Sequence, residues 1–511
     1  MTRSQATANP AKSRARQLEI LDHEAFDVAI IGGGIYGAML LLYASAYGLK
    51  ALMLDRGDFG AATSFNSLRI LHGGLRYLQT LDLLRSRESI REQRWFLQEF
   101  SDLVRPLPCL LPLYKQGLRR PFFMQLAFGL DRIMSIDRNR GLAIERKLLP
   151  ARVISASETR THFPQVETRG LAAGALWHDA AIPDTQRLVM EVLNWGRSKG
   201  GLAINYLDAI DLLIDGATVR GVDVCDRESG ERLRINANVV INASGPWCED
   251  LAARFDASYK RTAYPSLAWN VLFDREALSD HAVGVAVQEP NSHVYFLHPW
   301  KGRLLAGTGH KAMREGTKCE VDDPDLNRMI ADLNRAIPGI ALSSDQVQRV
   351  MSGILPVRNA GSTDLSKRPI IHDHGISGGP QGLISVSGVK LGASRIVADR
   401  SMRAVVKRYF GGRYRSTPQL GDRPSSCQGW QQTARNLGGL EKEDLRVQLL
   451  PIIESEMVLH LDDLVLRRTT MWEDPAAAMD LVPQLLALFD WNARRADKEI
   501  NRLASALEPA T

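Results

Sequence analysis

The sequence predicts an α/β protein: a parallel sheet near its start, α+β material through its middle and a wholly helical end. Three patterns lead there. Residues 26–31 are an apolar, β-branched run of strand length, apolar small residues continue at helical spacing to Tyr47, and Ala51–Leu54 reads as a second strand beyond Gly48. Strand, helix and strand within about 30 residues make a βαβ unit, so the sheet is parallel and the crossover right-handed. Between 170 and 310, strand-like runs (202–207, 218–225, 239–242, 292–297 and 304–307) alternate with helical stretches. From Lys442 onward apolar residues recur at i, i+3 and i+4, the period of a helix with one buried face.

The other segments fall between these. Residues 81–100 have helical periodicity with charge on one face. Residues 105–135 include Arg119, Arg120, Phe122, Phe123, Met124 and Phe128. A buried apolar segment with flanking charges is the favoured reading there, and an interfacial membrane patch the alternative. Residues 380–387 return to an apolar strand, and 411–441 are rich in Gly, Pro, Ser and Gln, the composition of a linker.

Composition excludes several classes. A chain of 511 residues is too long for one core, so two or three domains are expected. With 45% apolar and 24% charged residues it is ordinary globular material, and its net charge of +6 suits an anionic substrate or surface without deciding for one. No dense Lys/Arg tract interleaves with aromatics, so no nucleic-acid partner is expected. The cysteines (Cys109, Cys225, Cys248, Cys319, Cys427) are scattered and never spaced C-x-x-C. That argues against a disulfide framework or a metal site and for a reducing, cytoplasmic setting. No apolar run reaches the roughly 18 residues of a bilayer span. The opening is basic and polar without an apolar h-region, which reads as a disordered tail over 1–24.

The first motif with chemistry in it is Gly32-x-Gly34-x-x-Gly37, between the first strand and its helix, with Asp55 ending the next strand. Gly32 makes the tight turn, Gly34 lets backbone approach a pyrophosphate, and Gly37 lets helix and strand pack. The helix N-terminus faces the phosphates, and Asp55, followed by Arg56, accepts from ribose hydroxyls. A single fingerprint near the start of a long chain favours non-covalent FAD over a nicotinamide, and Asn242-Ala-Ser-Gly245 after a strand supports a return to the same unit. The fold class is therefore a two-dinucleotide-binding, Rossmann-like FAD domain over approximately 25–105, 170–250 and 350–410. It interleaves with an α+β substrate domain over approximately 106–169 and 251–349. A linker at 411–441 and an all-helical domain at 442–511 follow.

Longer stretches resemble the FAD-dependent glycerol-3-phosphate dehydrogenases, within the wider D-amino-acid-oxidase-like superfamily. Thr63, Ser64 and Ser67, then His72-Gly73-Gly74-Leu75-Arg76-Tyr77-Leu78, resemble the family's H-G-G-L-R-Y-L stretch beside the isoalloxazine. Asn242-Ala-Ser244-Gly245-Pro-Trp247 resembles its N-A-[ST]-G-P-W, and Gly388-Val389-Lys390-Leu391 its G-G-K-L. Pro299-Trp300-Lys-Gly-Arg-Leu-Leu-Ala-Gly-Thr308 resembles its strand ending in G-T. Glu456-Met457, Asp462-Asp463-Leu464 and Leu466-Arg-Arg-Thr469 follow its helical-domain motif. The resemblance implies hydride transfer from a substrate carbon to flavin N5 and electrons passed to a quinone or oxygen. It places Arg76 and Lys390 at the flavin face, where cations stabilise reduced flavin, and makes His72 a hydrogen-bonding or packing residue, not a covalent anchor.

Three departures set the chain apart. Where the family has G-V-R-P-L, with Arg on the substrate phosphate, the chain has Gly353-Ile-Leu355-Pro-Val357. Where it has K-G-x-H, with His as proton acceptor, the chain has Leu267-Ala-Trp269-Asn270, and G-T-T-D becomes Gly307-Thr-Gly309-His310. Intact flavin-side motifs beside altered substrate-side ones predict a retained cofactor and a rebuilt pocket. His310 or His298 is a candidate replacement base, and Arg358 or Arg368 a carboxylate partner. The leading expectation is oxidation of an alcohol or polyol other than glycerol 3-phosphate. Oxidation of a C–N bond and a catalytically silent flavin binder are the alternatives. Peripheral contact with the inner face of a membrane and a homo-oligomer stay open.

Overall fold

The computed structural model describes residues 10–78, 82–114, 121–289, 292–313, 319–366, 368–425 and 430–508. Two sheets organise them. In the first, the strands run in the order Ile370–Asp373, Leu383–Ser387, Arg232–Asn242, Ala25–Ile31, Ala51–Leu54 and Leu202–Ile204. All neighbours pair in parallel except the antiparallel Ile370–Asp373 edge, and the hairpin of Leu207–Asp215 and Thr218–Asp226 joins through Arg232–Asn242. The helix Ile35–Tyr47 lies on this sheet between Thr185–Ser198 and Ser394–Tyr409. Covered on every side, it is apolar throughout, and every residue but Tyr36 is buried. Gly48, at φ 90°, ends it with N–H bonds back to Ala44 and Ser45.

The second sheet is mixed, ordered Val347–Val357, Tyr264–Glu276, Arg303–Ala312, Tyr295–Trp300, Ala282–Val285, Arg105–Tyr114, Leu171–Ala181 and Ile70–Leu71, with Arg152–Ser155 beside Leu171–Ala181. Alternation divides its faces. Leu267, Trp269, Val271 and Phe273 pack under the Asp323–Ala336 helix with Leu326, Met329, Ile330 and Leu333. Leu272, Leu305 and Met351 turn the other way and join the core of the parallel sheet.

Several expected boundaries shift. Residues 10–23 are a helix, not a disordered tail, because Arg14 is buried and bidentate on Asp226 at 2.9 and 2.8 Å. Leu171–Ala181 and Val347–Val357 belong to the substrate sheet: both hydrogen-bond into it along their length. The 202–207 run breaks at Tyr206, whose φ of 58° ends one strand before the next begins. The described part of 411–441 is packed, not a free linker, since Trp430 is buried, Arg423 pairs with Glu191 at 3.0 Å, and Leu420 accepts from Trp195 Nε1. The Pro121–Met134 helix buries Met124, Phe128 and Asp131 but leaves Phe122 64%, Leu126 58% and Ile133 71% exposed, so the buried reading of that segment fails on one face. Arg119 and Arg120 lie outside the described residues. No described helix is long and apolar enough to cross a membrane.

The helical end is bound to the parallel-sheet domain by buried charge. Asp58 accepts two bonds from Arg468 at 2.8 and 2.7 Å and one from Arg467 Nε. Burial alone would raise its pKa, but the two guanidinia outweigh that and hold it well below the usual carboxylate range. Glu456 receives Arg187 at 3.1 and 2.9 Å and Asn194 at 2.9 Å. His460, 1% exposed, sits between Glu228 at 3.0 Å and Glu499 at 2.9 Å.

Burial disfavours the His460 charge, yet the bonds to Glu228 and Glu499 prevail and lift its pKa to about 9. A folded-state pKa above the unfolded one gives stability that is full below about 6.5 and lost as pH rises through about 9. At ~1.36 kcal/mol per pKa unit this is on the order of 3 kcal/mol. The thermal midpoint of the native protein is thus expected to fall from pH 7 to pH 10 more steeply than that of His460→Gln; equal slopes contradict the assignment.

Candidate functional site

The site forms along the carboxyl ends of the parallel strands. After Ala25–Ile31 the chain turns at Gly32, whose φ of +108° suits glycine and whose added Cβ would lie 2.5 Å from the Ala243 carbonyl oxygen. A Cβ on Gly37 would fall 1.7 Å from the Gly32 carbonyl oxygen, so helix and turn touch backbone to backbone there. Gly34 differs: its added Cβ meets only the Ser64 hydroxyl, at 3.1 Å. That hydroxyl accepts from Ile35 N–H at the same distance, capping the helix start. Asp55 accepts from Gly33 N–H at 2.6 Å and Gly57 N–H at 2.8 Å. Burial pushes its pKa up to about 6 despite those bonds. Arg56 stacks on Trp247, 3.9 Å from the ring centroid, and Ser244 donates to Asn242 Oδ1 at 2.7 Å beside Gly245.

The flavin-side segments meet around two contacts. Lys390 Nζ bonds the Tyr77 hydroxyl and lies 4.0 Å from that ring's centroid, which joins the 72–78 and 388–391 stretches. Tyr36 donates to the Lys390 carbonyl at 2.8 Å and fills the space a side chain on Gly388 would need. Val389 is half-buried, and Leu391 packs against the parallel-sheet core. His72 Nδ1 lies 2.9 Å from buried Asp179, which also accepts from Gly73 N–H at 2.7 Å and Trp177 Nε1 at 3.2 Å. Burial opposes the Asp179 charge, but these donors hold its pKa below the usual value. An ionised carboxylate only accepts, so His72 donates from Nδ1 and presents Nε2 outward from a ring 49% exposed. Gly74 and Leu75 continue that turn into a short helix. The Arg76 side chain lies outside the described residues.

Across from these lies the near face of the substrate sheet. Thr63 Oγ1 donates to the Ile354 carbonyl at 3.5 Å and Asn66 Nδ2 to the Ser352 carbonyl at 2.8 Å, clasping that strand. Ser67 caps Arg69 N–H locally. Asn270, buried, accepts from Thr308 Oγ1 at 3.0 Å and sits where a Cβ on Gly307 would be. His310 Nε2 lies 2.8 Å from Ser266 Oγ, which donates to the Leu355 carbonyl at 3.0 Å, so His310 donates and its Nδ1 is the basic nitrogen. Burial lowers its pKa. His298 is 1% exposed and burial drives its pKa down to about 3, which removes it as a base near neutrality. Arg358 and Arg368 are exposed. A cavity of about 190 Å³ between the sheets is lined by Trp247, Tyr264, Met313, Ile354 and Leu355, with Ser387 at its edge.

Sequence reasoning missed Asp179 and Tyr36. Asp179 was detectable as the one acidic residue in the largely apolar Leu171–Ala181 strand. Tyr36 occupies a variable position of the glycine fingerprint, which tests nothing but glycines.

The profile described as FAD dependent oxidoreductase matches residues 27–400. The chain belongs to that family. It is 28% identical over 421 residues to a glycerol-3-phosphate dehydrogenase of Synechocystis sp., covering 79% of this chain and 73% of that one. It is 27% identical over 391 residues to an aerobic glycerol-3-phosphate dehydrogenase of Staphylococcus haemolyticus, at 76% and 68% coverage. The fold is similar to the glycerol-3-phosphate dehydrogenase of Bacillus halodurans complexed with FAD, with TM-score 0.73, 19% identity and 98% of each chain covered. Glycine oxidase of Geobacillus kaustophilus shares it at TM-score 0.55, 18% identity, and 75% and 95% coverage. The family's cofactor is FAD, and the chain is an FAD-dependent oxidoreductase. The turn fits the group: Gly34 leaves the helix N-terminus clear and the half-buried Asp55 carboxylate lies beside it.

These glycines separate binding from folding. Gly34→Val is expected to yield folded, colourless protein, because only a hydroxyl must yield to its side chain. Gly37→Val forces backbone apart and is expected to abolish soluble protein. Circular dichroism and flavin absorbance of the two variants check this; yellow, fully loaded Gly34→Val contradicts the placement.

Proposed function

We propose that this oxidoreductase oxidises a C–H bearing a hydroxyl, in a neutral alcohol or polyol, and that glycerol 3-phosphate is not its substrate. The observation behind the reading is Leu355. It stands in the wall of the cavity at the position where the resembled dehydrogenases carry the Arg that binds phosphate. A phosphate held away from water needs charge-assisted donors. Arg261, the one cation among the described lining residues, is already bound to Asp250 at 2.6 Å.

Bound FAD supplies the acceptor for the hydride that leaves the substrate carbon. The protein must take the hydroxyl proton, and Asn270 accepts hydrogen bonds but not a proton at neutral pH. His72 replaces the missing base in this reading. Asp179 fixes its tautomer and leaves Nε2, on the exposed side, to receive the proton. Lys390 provides cationic charge at the flavin face, a role the family resemblance also implies for Arg76, Tyr77 orients the Lys390 ammonium, and Asn270 hydrogen-bonds the substrate oxygen. Gly32, Gly34, Gly37 and Asp55 hold the dinucleotide, with Ser64, Ser244 and Gly388 around it. Electrons leave to a quinone or to oxygen.

Anaerobic mixing of the FAD-loaded protein with alcohols, polyols, amines and hydroxy acids tests this. A neutral polyol is expected to remove the oxidised flavin absorbance, and His72→Gln to slow that on the order of a hundredfold with FAD retained. Bleaching by amines or amino acids alone, or an unchanged rate in His72→Gln, contradicts the reading.

A further inference from the structure

A chain of buried polar groups ends at the glycine turn. Asn242 and Ser385 are partners on adjacent parallel strands, and His374 follows the edge strand that pairs with Ser385. Asp256 closes the Cys248–Phe255 helix. Asn242 and His374 are fully buried, Ser385 is 1% exposed and Asp256 5%. Asp256 Oδ2 lies 2.7 Å from His374 Nδ1, and His374 Nε2 lies 2.9 Å from Ser385 Oγ. Asn242 Nδ2 donates to Ser385 Oγ at 3.3 Å and to the Cys248 carbonyl at 2.8 Å. Its Oδ1 accepts from Ser244 Oγ at 2.7 Å. Ser, His and Asp stand in the order of a nucleophile's triad, but a sealed Ser385 meets no substrate.

Every hydrogen in this chain has one place to go. Burial opposes the Asp256 charge, but the bonds from Ser258 and His374 hold its pKa below the usual value. Asp256 therefore only accepts, and His374 donates from Nδ1. Burial lowers the His374 pKa and outweighs the Asp256 bond, so the ring is neutral near pH 7. Nε2 then takes the Ser385 hydroxyl hydrogen, which leaves the Ser385 oxygen to accept from Asn242. The amide oxygen of Asn242 is thereby held toward Ser244, whose own hydrogen turns inward. Ser244 lies against the glycine turn: a Cβ on Gly32 would come within 2.9 Å of its Cα. We infer that the Asp256–His374–Ser385–Asn242 relay positions Ser244 as a hydrogen-bond acceptor for FAD. A phosphate oxygen can only accept, so the group Ser244 takes is a hydroxyl of the dinucleotide. The inference rests on the placement of Ser244 beside the dinucleotide and is independent of the substrate reading.

The measurement is the FAD dissociation constant of the full-length protein, by equilibrium titration with FAD at neutral pH. Ser244→Ala and Ser385→Ala are each expected to weaken FAD about tenfold, the worth of one hydrogen bond. Because both act through one contact, the double variant is expected to lose about tenfold and not about a hundredfold. Two changes at His374 separate the relay from a mere anchor. Gln places an oxygen where Nε2 stood and so keeps the acceptor for Ser385, whereas Asn reaches only the position of Nδ1 and keeps the partner of Asp256. His374→Gln is expected to stay within about threefold of the native affinity and His374→Asn to lose about tenfold. The reverse order at His374, or additive losses in the double variant, overturns the relay. An unchanged dissociation constant in Ser244→Ala removes Ser244 from the cofactor, and the relay with it. A loss in Ser244→Ala beside an unchanged Ser385→Ala defeats the relay and leaves Ser244 in place.

Discussion

The tightest constraint in the molecule is the seat of the Ile35–Tyr47 helix on the carbonyl of Gly32. No side chain fits between them at Gly37, so the helix start is fixed relative to the strand that precedes it. From that contact the rest of the site follows. The helix N-terminus points past Gly34 toward the carboxyl ends of the parallel strands. Asp55, the 244–247 turn and the 388–391 turn all lie at those ends because their strands pair in one register with Ala25–Ile31 or with its neighbours. Ligands of open α/β sheets bind along this edge for the same geometric reason.

Buried charge holds the parts that the sheet does not. Asp58 lies in the loop just after Asp55, and its partners Arg467 and Arg468 come from the helical domain. Desolvating such groups costs several kcal/mol per ion, so a buried network gives little net stability. What it gives here is one position for the loop that carries Asp55, since any slippage would leave a charge unpaired. Asp179 acts in the same way on the other side of the site. It ties the 72–74 turn to the substrate sheet and settles which nitrogen of His72 faces out.

How much of this was legible in the sequence depended on the range of the physics involved. The glycine turn, the βαβ unit and the acid at the next strand end answer local demands, and they read correctly residue by residue. The departure at Leu355 is a difference from the resembled motif and needs no coordinates to notice. The partners of functional groups did not show. Asp179 meets His72 across 107 residues, and Lys390 meets Tyr77 across 313. The helix at 10–23 was hidden because its anchor, the Arg14–Asp226 pair, joins residues 212 apart. His310 and His298 looked equivalent in sequence and differ in structure, one half-buried beside Ser266, the other sealed in the core.

In the proposed reading the flavin side keeps its family residues while the substrate side has exchanged a cation for Leu355. That reading is tested most directly by kcat/KM for glycerol 3-phosphate in the native protein and in Leu355→Arg. Restoring a charged donor should raise kcat/KM by at least about tenfold from a very low value. A native protein that already turns over glycerol 3-phosphate efficiently, with no gain in the variant, would contradict the account.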